Sequence, residues 1–142
     1  MKQLRVGAIA VFLILASTNV WAQKSYKVIV NPSNPVSSMS REEVSRIFLK
    51  KTTKFSDGRS ASAVDLPVNS PTRESFCKDV HGKSSSAVDA YWQQLIFSGR
   101  DIPPAQKSES GVLEFVRSNE NAIGYVSAGA DTGGVKVINI TD

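Results

Sequence analysis

The residues best suited to chemistry in this chain lie at Asn69 to Phe76, NSPTRESF. A serine, a proline, a threonine and an arginine follow one another where the pattern predicts the start of a helix over 71–81. The first turn of a helix has unpaired N–H groups and carries the positive end of the helix dipole. The amides of Thr72, Arg73 and Glu74, the hydroxyls of Ser70 and Thr72 and the adjoining Asn69 could therefore receive an oxyanion, and the Arg73 guanidinium could grip it bidentately. The same residues also make a complete helix cap, with Ser70 at N-cap, Pro71 at N1 and Arg73 turned to water. Taken alone, the stretch permits both readings.

Little else in the sequence suggests catalysis. There is no H-E-x-x-H, no Cys/His cluster, no G-x-S-x-G and no phosphate loop ending in Gly-Lys-Ser/Thr, so neither catalytic residues nor metal ligands nor a cofactor are expected. GADTGG lies between two predicted strands, not between a strand and a helix, which is the wrong context for a nucleotide cradle. The single cysteine, Cys77, sits beside Phe76 with Val80 three residues on and reads as a small packed apolar residue. The single histidine, His81, falls four residues later with nothing to orient it as a base for a thiol. A non-enzyme is the expectation.

The N-terminus has the form of an export signal. Lys2 and Arg5 precede the apolar run Val6 to Ala16, and Val20-Trp21-Ala22 offers small residues where a signal peptidase reads, which places cleavage before Gln23. The run is short of the roughly 20 apolar residues that span a bilayer, and no cysteine near the cleavage site suggests a lipid anchor. The expectation is a signal peptide over 1–22, a periplasmic destination and a single domain over 23–142. The chain holds 17 Lys and Arg against 13 Asp and Glu. With Lys2 and Arg5 removed the net charge is about +2, too small to argue for nucleic acid or an anionic membrane surface. The basic cluster KKTTK at 50–54 follows a predicted helix, where cations suit the negative dipole end.

These residues need elements to position them. Lys27 to Val30 reads as a buried strand running into NPSNP. Ser40 and Glu43 form a capping box, Met39 and Val44 a hydrophobic staple, and Val44, Ile47 and Phe48 a buried helical stripe. Ala61 to Leu66 is a plausible strand leading to the NSPTRESF helix, which Gly82 closes at C′. Val88, Tyr91, Trp92, Leu95 and Ile96 recur at helical spacing up to Gly99. Pro103 and Pro104 exclude helix from 101–107. Ser110 is the expected cap of a further helix with Val112, Leu113 and Val116 on its apolar face, and Ile123 to Val126 and Val135 to Ile140 read as strands. Strands separated by helices imply an α/β layer with a partly parallel sheet flanked by helices.

Several of these stretches together resemble the phosphate ABC transporter substrate-binding proteins of the periplasmic binding protein superfamily. The resemblance rests on SREEVSRIFLKKTTKFSDG, NSPTRESF, YWQQLIFSGRDIPP and ENAIGYVSAG, in that order, from about Val28 to the C-terminus. The family's IFLGK-like run falls on Ile47 to Lys51, with Lys50 where glycine is usual. Its Ser-Gly-Thr phosphate turn falls on Ser70, Pro71 and Thr72, followed by Arg73, and Ala122 to Val126 matches its Ala-Ile-Gly-Tyr-Val strand. The family's phosphate-binding arginine corresponds to a place near Leu66, which leaves Arg73 as the nearby substitute, and Pro71 replaces a glycine amide. The resemblance implies a single lobe of a two-lobed fold, a phosphate or other small oxyanion ligand at Asn69, Ser70, Thr72 and Arg73, and an ABC transporter or envelope protein as partner. A homodimer could rebuild the missing cleft. The alternative is a ligand-free interaction module serving an envelope sensor or transporter.

Overall fold

The computed structural model describes residues 24–142, so the signal-peptide expectation for 1–22 lies outside the described residues. Strand β1 (Tyr26–Val30) is followed by the short β2 (Ser38–Ser40) and helix α1 (Arg41–Phe48). Next come β3 (Ser62–Asp65), α2 (Pro71–Phe76) with a π-helical turn over Cys77–His81, and α3 (Ser85–Phe97). The chain ends with β4 (Ala105–Gln106), α4 (Glu109–Ser118), β5 (Ala122–Ser127), β6 (Lys136–Val137) and β7 (Asn139–Thr141).

The five-stranded sheet runs β4-β3-β5-β1-β6, and β2 pairs with β7 apart from it. β3 is parallel to both β4 and β5, whereas β1 is antiparallel to β5 and β6, so the sheet is mixed. Because β3 and β4 are parallel, α2 and α4 both start from the same end of the sheet. The Lys107 N–H donates to the Asp65 carbonyl at 2.9 Å and ties those two exits together.

The core follows the apolar pattern. Val28, Ile29 and Val30 of β1 and Ile123, Tyr125 and Val126 of β5 are buried, each large aliphatic contributing about 1.5–3 kcal/mol. On α1 the buried stripe is Val44, Ile47 and Phe48, and the Ser40–Glu43 capping box is complete. Gly124 lets α4 approach β5: a Cβ there would lie 2.7 Å from Val112 Cγ1 and 3.0 Å from Val64 Cγ1. Phe76 stacks on Tyr125 with centroids 3.8 Å apart, and Phe48 packs edge-on to Phe76 at 4.9 Å.

Several expectations need correction. Ser108, not Ser110, caps α4, accepting from the Gly111 N–H at 3.2 Å. The strand expected over 135–140 is two short strands with different partners, β6 on β1 and β7 on β2. The proline segment is free of helix, as expected, and also contributes β4, a strand of 2 residues pinned against β3. On α3, Val88 and Trp92 are buried as the stripe requires, but Ile96 is half-exposed.

Candidate functional site

The candidate site begins where β3 ends. Leu66 to Asn69 carries the chain off the sheet, a turn closes with the Ser70 N–H on the Pro67 carbonyl at 2.9 Å, and α2 starts. Ser70 has the extended backbone of an N-cap, and its Oγ accepts from the Arg73 N–H at 3.3 Å. The Glu74 N–H takes the first intrahelical bond, to the Ser70 carbonyl at 3.1 Å. Of the three amides expected to face a ligand, two are thus engaged by the cap itself. Among the described residues, that of Thr72 is the one left over, because Pro71 has no N–H. Asn69 and Pro71 are exposed, and Ser70 and Thr72 half-buried.

Arg73 turns inward, away from this surface. Its side chain is 2% exposed, its Nη2 donates to Asp89 Oδ1 at 2.9 Å, and its Nε lies 3.6 Å from Asp65 Oδ1. Asp65 Oδ1 also accepts from the Tyr125 hydroxyl and from the Leu66 N–H at 2.8 Å. The reason is helical geometry: Arg73 stands three residues before Phe76, on the face that α2 buries. A guanidinium carried into the core must bring carboxylates with it. Leu66, the residue after Asp65, is buried in the hydrophobic core.

The electrostatics fit a sealed cluster. Burial pushes the Asp65 carboxyl up, against the Tyr125 hydrogen bond, the Arg73 charge and the Leu66 amide, which favour the anion. Burial also pulls Arg73 down, but the carboxylates of Asp65 and Asp89 more than offset it and keep it charged. Burial and the nearby Asp65 raise the Tyr125 hydroxyl far above its ordinary value. Glu74, next along, lies against the first turn of α3 and accepts from the Ser85 N–H at 3.0 Å and from the Ser85 hydroxyl. That hydrogen bonding lowers its pKa.

Cys77 is buried, and desolvation raises its thiol to about 12. The His81 Nδ1 lies 2.7 Å from Ser45 Oγ. Among the described residues, no group of three or more His, Cys, Asp and Glu side chains could hold a metal, and no helix is long and apolar enough to cross a membrane.

No protein-family model and no curated protein sequence matches the chain. Solved structures do. A protein assigned as a phosphate ABC transporter substrate-binding protein, with bound phosphate, from Clostridium perfringens superposes with a TM-score of 0.61 at 20% identity, over 82% of this chain and 44% of that one. An ABC-type phosphate transport receptor from Vibrio cholerae gives 0.62 at 24% identity, over 83% and 47%. The chain has the fold of one periplasmic-binding-protein lobe. A possible phosphate binding protein from Planctomyces limnophilus gives 0.63 at 19% identity, over 83% and 42%. The lobe spans less than half the length of each of these relatives.

The sequence located the helix start correctly and placed Ser70 at its cap. The partners it missed are Asp65, Asp89 and Tyr125. The available signal was the i, i+3 spacing of Arg73 and Phe76 beside a core phenylalanine.

Proposed function

We propose that this lobe is an exported, periplasmic interaction module of the phosphate-binding-protein type, which docks on an envelope transporter or sensor instead of closing on a phosphate ion. One observation carries the reading: Arg73 is sealed between Asp65 and Asp89. A guanidinium that is 2% exposed and already opposed by two carboxylates presents little positive potential to an incoming anion, and Leu66 supplies no replacement. Titrating the purified protein with phosphate, sulfate and a dicarboxylate at low salt tests this. No saturable response is expected. A saturable response overturns it.

The Thr72 amide favours a second reading, in which an oxyanion rests on Asn69, Ser70 and Thr72 with Arg73 stabilising the site from behind. Such a site is open to water on one side, where anion contacts are weak and salt-sensitive. It requires a second wall, which a homodimer would provide. The same titration separates the two readings, since this one predicts saturation that sharpens with protein concentration.

A further inference from the structure

We infer that the end of α3 and the loop after it form a face that docks on an anionic bilayer, an inference that rests on the docking reading above. Three large apolar side chains stand out from the surface within seven residues: Phe97 is 90% exposed, Ile102 66% and Ile96 49%. Ile96 and Ile102 border one recess of about 290 Å³ with Gly99, Arg100 and Asp101. Ile102 also borders a larger one of about 560 Å³ with Lys50, Pro103 and Pro104.

The charges around this tip are mostly of one sign. Arg100 is exposed, Lys50 borders the larger recess, and Lys51, the next residue in the chain, is exposed. Asp101 and Lys50 oppose each other at 3.7 Å, which leaves Arg100 and Lys51 as the uncompensated charges. The small net charge of the whole chain therefore conceals a local basic rim around an apolar tip. Projecting aromatic and aliphatic side chains with Lys and Arg at their base suit the boundary between headgroups and acyl chains. A closed groove would instead suit a peptide.

Lys50 adds an independent observation. It ends α1 with φ 52, the left-handed conformation that glycine adopts without strain. A lysine there strains the backbone, and what it supplies is a cation beside Ile102.

The test is co-sedimentation of the protein, as recovered from the cell envelope, with vesicles of phosphatidylcholine with and without phosphatidylglycerol. Binding to the anionic vesicles is expected, with release as salt screens the rim. Phe97→Ser with Ile102→Ser should lower it roughly tenfold, since each removes buried apolar area, and Arg100→Gln with Lys51→Gln should remove the preference for phosphatidylglycerol. All four positions are exposed, so an unchanged melting temperature will show that the variants fold. Any contribution from the first residues is common to all proteins compared. Absence of binding by the unmodified protein, or equal binding by the Phe97/Ile102 variant, overturns the proposal. Either result, alongside a silent phosphate titration, leaves the docking reading standing.

Discussion

Arg73 and Asp89 form a charge-assisted hydrogen bond of 2.9 Å between α2 and α3, with the arginine side chain only 2% exposed. The pair joins the two helices behind the end of β3. Asp65 approaches the same guanidinium from β3, so one arginine connects the sheet to both helices.

Removing that arginine leaves two carboxylates facing each other with Asp65 in the core. Arg73→Ala should therefore cost about 3–5 kcal/mol, the usual cost of breaking a buried pair from one side. Adding Asp65→Asn should recover part of that loss by removing the stranded charge. Urea denaturation of the single and double variants measures both. A loss below about 1 kcal/mol would place Arg73 among exposed ion pairs, contrary to its burial.

His81 makes stability depend on mild acid. Burial, helped by Arg73, Lys83 and Lys51, holds its imidazole down at about 4, against 6.5 for the free side chain. Between those values the unfolded chain binds a proton that the folded chain refuses, so stability falls as pH drops through the window. At full effect this amounts to about 3 kcal/mol. The contribution of His81 is the difference between the unmodified protein and His81→Gln, each denatured in urea at about pH 7 and about pH 4.5. The variant should lose less stability over that interval.

Gly124 should tolerate no side chain. The Cβ of Gly124→Ala would press on Val112 Cγ1 from α4 and Val64 Cγ1 from β3, both in the core. Overpacking of this kind costs about 1–3 kcal/mol. Thermal unfolding reads it as a lower melting temperature, and Val112→Ala in the same chain should relieve part of the loss.

What the sequence made legible follows from local physics. Ser40, Glu43, Val44, Ile47 and Phe48 define α1 by capping and period alone. Ser70, Pro71 and Gly82 likewise bound the α2 segment, with Gly82 at φ 65 as its left-handed end. What escaped depends on distant partners. β2 and β4 have 3 and 2 residues, and they exist because β7 and β3 pair with them. Ser108 and Ser110 are equally good caps in isolation. Tertiary contact separates them, since starting α4 at Glu109 brings its carboxylate onto the Ser127 N–H. For the candidate site the sequence revealed the cap but not the direction of Arg73, because that depends on Asp89, 16 residues away on another helix.

Lys50 provides a prediction with two readouts that move in opposite directions. At φ 52 it follows α1, with its N–H on the Ile47 carbonyl at 3.1 Å and the Lys51 N–H on the Arg46 carbonyl at 2.8 Å, a helix ending that favours glycine. Lys50→Gly removes a left-handed penalty of about 1 kcal/mol, and its Asp101 contact, 3.7 Å long and partly exposed, offsets little of that. The melting temperature should therefore rise. The same substitution removes a cation beside Ile102, so binding to phosphatidylglycerol vesicles should weaken while the fold becomes more stable. Lys50→Ala separates the causes: it loses the cation but keeps the strained conformation, so it should weaken vesicle binding without raising the melting temperature. If Lys50→Gly stabilises the fold and leaves vesicle binding untouched, the lysine has no part in the docking face.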